Sequence, residues 1–156
     1  MVHHTNFNNM NQRGFTLIEL LIAIAMIGIL AATAIIMINP LEQIKKGRDA
    51  QRKYDLLQIR NVLEAYNSDN NLYPTNLVWG STWLPYMAKV PKDQLSSQNY
   101  YYKVADDHSW YRLYARLERC ADPQILTGAE CTKCNYSVTS SNVAPEADNA
   151  LSCGNL

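Results

Sequence analysis

The chain has 156 residues, enough for one ordinary domain. Its 14 basic and 14 acidic side chains cancel, so it lacks the basic excess by which a nucleic-acid-binding domain is recognised, and charge must act locally. Hydrophobic residues make up 47% of the whole but are unevenly spread. Residues 1–14 are Asn-rich with a single charge, Arg13; residues 15–38 are almost wholly apolar; the remainder is polar and rich in aromatics.

Residues 15–38 are interrupted only by Thr16, Glu19 and Thr33. Leu, Ile, Ala and Met favour a helix, and 24 residues at about 1.5 Å each reach about 36 Å, enough to cross a bilayer core of about 30 Å. Lipid also requires a backbone that satisfies its own hydrogen bonds. Such a segment has three readings. A secretory signal would be cut at the small residues Ala32-Thr33-Ala34, but its n-region here is long and nearly uncharged, and Glu19 sits inside the apolar run. A plain single-pass anchor satisfies the length criterion alone. A dedicated leader is the third.

The stretch Arg13-Gly14-Phe15-Thr16-Leu17-Ile18-Glu19 closely resembles the type IV pilin and pseudopilin family, and the likeness runs on through the apolar segment. The resemblance implies cleavage between Gly14 and Phe15 by prepilin peptidase and methylation of the new N-terminal Phe15. It also implies that Glu19 pairs with the N-terminal amine of a neighbouring subunit. A carboxylate near the centre of an apolar helix costs about 2.5–3.5 kcal/mol on insertion scales, so its presence calls for a role. Thr16 and Glu19 also have the S/T-x-x-E spacing of a capping box, and the two roles are compatible. Lys45, Lys46, Arg48, Arg52 and Lys53 follow the apolar run while only Arg13 precedes it. Taken alone, the positive-inside rule would leave the C-terminal part in the cytoplasm; the resemblance and the cysteine usage imply the opposite side.

Beyond the apolar run, Asn39-Pro40 is expected to bend or open the helix. Leu56, Ile59, Leu63 and Tyr66, with Val62 beside them, recur at helical spacing and form one apolar stripe, predicted to pack on a small sheet. Lys45, Asp49 and Arg52 continue the same side upstream, so the first part of this helix is expected to lie free of its own domain and to pack against other subunits. The alternating charges from Glu42 to Glu64 read either as a solvated face or as complementary charge between neighbours. Asn67-Ser68-Asp69-Asn70-Asn71 and Tyr73-Pro74 predict the helix end near Asp69. Residues 39–74 are similar to the matching part of major pseudopilins and some pilins.

In residues 75–98, Trp79, Trp83, Pro85 and Pro91 predict a packed loop with room for a short helix. Residues 99–104 and 110–118 predict two strands. The second alternates, with Tyr111, Leu113, Ala115 and Leu117 on one face and Trp110, Arg112, Tyr114, Arg116 and Glu118 on the other. Residues 105–109 form the hairpin loop between them, and 136–139 a candidate third strand. Asp107-His108-Ser109 is no catalytic triad, because three adjacent loop residues do not converge, and the motifs of nucleotide-binding or zinc-protease chemistry are absent from the sequence. Major pseudopilins carry a calcium site in an acidic C-terminal loop; Asp122, Glu130, Glu146 and Asp148 are too scattered to carry it over, and no cofactor is expected.

Four cysteines fall in the last quarter: Cys120, Cys131, Cys134 and Cys153. An even number in a small exported domain reads as two disulfides. Sequential pairing, Cys120–Cys131 and Cys134–Cys153, closes the shortest non-trivial loops, though four cysteines allow three pairings. The C-x-x-C at 131–134 leaves open half of a zinc site completed by Cys120 and Cys153, or a redox pair.

The resulting expectation is an α+β, pilin-like fold: a leader at 1–14, a transmembrane and filament-core helix at 15–38, an amphipathic helix at 39–74 and a cysteine-stapled β head at 75–156. The expected role is that of a filament subunit and not an enzyme. Its partners would be further copies of itself, prepilin peptidase, an inner-membrane assembly platform and, before assembly, the membrane. Its location would be a single-pass membrane protein with an extracytoplasmic head, later a cell-surface or periplasmic filament. A major pseudopilin of type II secretion is the near alternative; a membrane-anchored binding or redox domain is the distant one.

Overall fold

The computed structural model describes residues 14–154. Its elements are α1 (Leu17–Ile38), α2 (Pro40–Asn70), β1 (Tyr101–Val104), β2 (Tyr111–Ala115) and β3 (Tyr136–Thr139). The chain divides into two compact units, one ending at Pro40 and one running from Leu41 to Leu156.

In the first unit, Thr16 is extended and caps α1: its Oγ1 accepts from the Glu19 N–H at 3.3 Å, and its carbonyl from the Leu20 N–H at 3.2 Å. The side-chain bond satisfies one of the N–H groups that a helix start leaves without partners, and the carbonyl accepts the first intrahelical bond. Leu17–Ile35 is long and apolar enough to cross a membrane by length and composition, and none of it is buried within the chain. The helix stops at Asn39, which takes the left-handed conformation with φ 45°. Pro40 then opens α2, the position where its missing N–H costs nothing. The Asn-Pro pair therefore separates two helices.

In the second unit, α2 runs to Asn70, one residue past the expected end, and Asn71 at φ 57° terminates it in the left-handed region. Leu56, Ile59 and Leu63 are buried against Tyr111, Leu113, Ala115, Leu117, Tyr136 and Val138. The apolar stripe thus meets the sheet as its spacing predicts. The sheet is an antiparallel meander, β1-β2-β3, with Tyr102 opposite Leu113 and Leu113 opposite Val138. The β1 and β2 strands are shorter than expected, while β3 has the predicted bounds. The hairpin turn at 105–109 closes through the Ala105 N–H to Trp110 carbonyl bond at 3.0 Å, with His108 at φ 56°.

Two features lie outside the expected pattern. Tyr114 lies on the face of β2 opposite Tyr111, Leu113 and Ala115, with Arg112 and Arg116, yet it is fully buried, because Cys134, Cys153 and Leu151 cover that side. Residues 75–98 contain no helix; the loop is organised by paired backbone bonds between Trp83 and Met87 and between Gly80, Ser81 and Val90.

Candidate functional site

Gly14, Phe15 and Thr16 lie outside α1, in non-helical backbone. Phe15 is exposed, and a Cβ built at Gly14 meets no atom within 4 Å. Both residues of the Gly14–Phe15 bond are exposed. Glu19 sits in the first turn, where its negative charge complements the helix dipole. Its backbone N–H is held by Thr16, so the cap uses the main chain of Glu19 and leaves its carboxylate for other partners.

The second unit holds a set of groups that the sequence reading missed. Asp49 and Arg52, expected to stand clear of the head, are buried in it at 1% and 2% exposure. Arg52 forks onto Asp93, donates to Asp49 at 2.9 Å and to Glu118 at 2.7 Å. Asp49 also accepts the backbone N–H groups of Glu118 at 2.8 Å and Arg119 at 3.0 Å. Arg48 grips Glu118 with two further bonds. Lower on the helix, Lys53 pairs with Asp122, Tyr100 donates to Asp55, and Tyr73 and Tyr111 both donate to Glu64. So most of the alternating charges on α2 are neither solvated nor free for neighbours: they bolt the helix to its own head. The signal was legible in part. Asp49 and Arg52 lie in line with Leu56 and Ile59, and a charge on a buried stripe needs a buried partner.

The electrostatics agree with the geometry. Hydrogen bonds from Arg48, opposed by burial and aided by Arg52, hold the Glu118 carboxyl down at about 2. Burial works against the charge on Arg52, but its bonds to Asp93 and Glu118 outweigh it and raise its pKa further. Burial, then the bond to Asp55, pushes the Tyr100 phenol up, so it stays a donor.

The four cysteines form two disulfides, Cys120–Cys131 and Cys134–Cys153, with Cα separations of 5.5 and 5.1 Å. This is the sequential pairing. It parts the two cysteines of the C-x-x-C between different bridges, so they form neither a redox pair with each other nor half of a four-thiolate zinc site.

The family described as the prokaryotic N-terminal methylation motif matches residues 9–35, which contain the Gly14–Phe15 bond, the cap and Glu19. Over this region the chain is similar to pilins and pseudopilins. Among its relatives is the type II secretion system core protein G of Escherichia coli (strain K12), 33% identical over 88 residues, which cover 53% of this chain and 59% of that protein. The core protein G of Aeromonas hydrophila is 36% identical over 64 residues, 41% of this chain and 43% of its own length. The type IV wide pilus major component PilA4 of Thermus thermophilus is 44% identical over 66 residues, covering 42% and 49%. The chain thus spans between about two fifths and three fifths of the length of these curated relatives. No solved structure matches it significantly.

Proposed function

We propose that this protein is the structural subunit of a type IV pilin-like filament, cut after Gly14, methylated on Phe15 and polymerised through α1. The observation that carries the reading is the 19-residue apolar stretch Leu17–Ile35, none of it buried by the chain itself, within the segment 9–35 that matches the N-terminal methylation motif. At about 25 cal/mol per Å² of apolar surface, so much exposed hydrocarbon must be covered first by lipid and then by other helices. Glu19 enters that apolar packing with its carboxylate, and the free amine that cleavage creates on Phe15 of a neighbour neutralises it. An opposite charge in a low-dielectric interior fixes one register. The head lies on the extracytoplasmic side, where its two disulfides persist. The membrane-bound precursor would meet prepilin peptidase and an inner-membrane assembly platform on its way into the polymer.

Intact-mass analysis of the protein from its native host tests this. The expected species begins at methylated Phe15; a chain beginning at Met1 or Ile35 overturns the reading. A second reading, a major pseudopilin of a type II secretion system, is favoured by the relatives named core protein G. Deleting the gene separates the two: loss of surface filaments supports the pilus, loss of protein secretion without loss of filaments the pseudopilus.

A further inference from the structure

The loop between α2 and β1 closes around a cavity of about 110 Å³ lined by Asn76, Leu77, Val78, Ser81, Thr82, Trp83 and Val90. One ordered water needs about 10–15 Å³, so the space fits a small ring better than a single solvent molecule. The walls are fixed. Gly80 and Val90 each donate a backbone bond of 2.8 Å across the loop, to Val90 and Ser81, and Trp83 and Met87 exchange bonds of 2.9 and 2.8 Å. Gly80 turns the chain at φ 78°, a region open to glycine. The indole of Trp83 is held with its centroid 5.4 Å from Tyr66 and 5.6 Å from Tyr86.

The lining is chemically specific. It contains no charged side chain. Asn76 and Thr82 stand exposed at the rim, offering an amide and a hydroxyl that both donate and accept. The Ser81 hydroxyl donates to the Val78 carbonyl at 2.6 Å, which leaves its oxygen free to accept. A charged ligand would lose hydration here and meet no counter-charge. A wholly apolar one would cover the amide and hydroxyls without pairing them.

We propose that this cavity is a binding site for an uncharged pyranose. The sugar lays its C–H face on the Trp83 indole and directs its hydroxyls to Asn76, Ser81 and Thr82. Because the loop is already ordered, binding costs little in conformational freedom. The site lies wholly within the second unit and does not depend on the filament reading.

Saturation-transfer NMR on the full chain, held in a detergent without a sugar headgroup, tests it with methyl α-mannopyranoside, methyl β-galactopyranoside and methyl β-glucopyranoside. Glucuronate and cyclohexanol serve as charged and apolar controls. The expected result is saturable transfer to the ring protons of at least one glycoside, in the millimolar range. Asn76→Ala and Thr82→Val should each weaken it about two- to tenfold, the range of one hydrogen bond. Trp83→Ala should abolish it and Trp83→Phe retain part of it. The rim variants decide the matter if Trp83→Ala misfolds. The proposal is overturned if no glycoside binds saturably, if a control binds as tightly as the best glycoside, or if both rim variants bind like the parent protein.

Discussion

The Arg52 guanidinium on α2 grips the Asp93 carboxylate with two near-parallel hydrogen bonds, Nε to Oδ2 at 2.6 Å and Nη2 to Oδ1 at 3.1 Å. Both side chains are 2% exposed. The same guanidinium reaches Asp49 and Glu118, so one side chain joins α2, the loop ahead of the sheet and the segment after β2. Planar, bidentate geometry of this kind is a property of arginine that lysine lacks.

Removing one partner of a buried ion pair strands the other charge. Arg52→Ala is expected to cost the head about 3–5 kcal/mol. Arg52→Lys should also destabilise, because a single ammonium cannot bridge three carboxylates in this geometry. Urea unfolding followed by tryptophan fluorescence measures both; a loss under about 1 kcal/mol, the worth of a surface pair, would make the network incidental.

Acid should weaken the same junction. The folded Glu118 carboxyl titrates at about 2, below its ordinary 4.5, and Asp122 is lowered too, where burial is outweighed only by the bonds from Lys53 and the Gln124 N–H together with the charges of Lys53 and Arg119. A group with a depressed folded pKa stabilises the fold above its unfolded pKa, and that contribution is lost as pH falls through the folded one. Stability should therefore fall between about pH 4.5 and pH 2. Glu118→Gln should be less stable at neutral pH but lose less on acidification, as urea midpoints at pH 7 and pH 3 can register. An unchanged acid dependence in the variant would assign the effect to other carboxylates.

Glu19→Ala should leave α1 capped, since Thr16 bonds the backbone of residue 19 and not its side chain. Membrane insertion should be intact or improved, because a carboxylate has left an apolar helix. Filament yield should nevertheless drop, which the amounts of sheared polymer and membrane-bound subunit compare directly. Normal polymer yield would show that no neighbour needs the carboxylate.

The two disulfides should differ in access. Cys134 and Cys153 are buried over Tyr114, whereas Cys120 is exposed and Cys131 half-buried. Mild reductant should open Cys120–Cys131 in the folded protein and leave Cys134–Cys153 closed until the head unfolds. Differential alkylation and peptide mapping give the order. Replacing Cys134 and Cys153 together by serine should cost about 2–5 kcal/mol and expose Tyr114.

The sequence by itself determined what local spacing encodes. The apolar run with its Gly14-Phe15 motif, the stripe Leu56, Ile59 and Leu63, the α2 stop at Asn70 and Asn71, and the alternation of Tyr111, Leu113 and Ala115 all depend on near neighbours in the chain. Helix and strand periods of 3.6 and 2 write them into the order of residues. Loop-closure entropy favoured the sequential cysteine pairing but left two others open. Only the tertiary structure decided which charges of α2 are buried. Arg52 meets Asp93 across 41 residues and Glu118 across 66, and no periodicity announces partners so distant. The same holds for Tyr114, buried because a tail stapled by Cys134–Cys153 folds back over it, and for the cavity at Trp83, whose walls meet only when the loop closes on Val90. Charge patterning is ambiguous for a physical reason: an exposed pair and a buried one have the same spacing on a helix, and only the surface packed against it tells them apart.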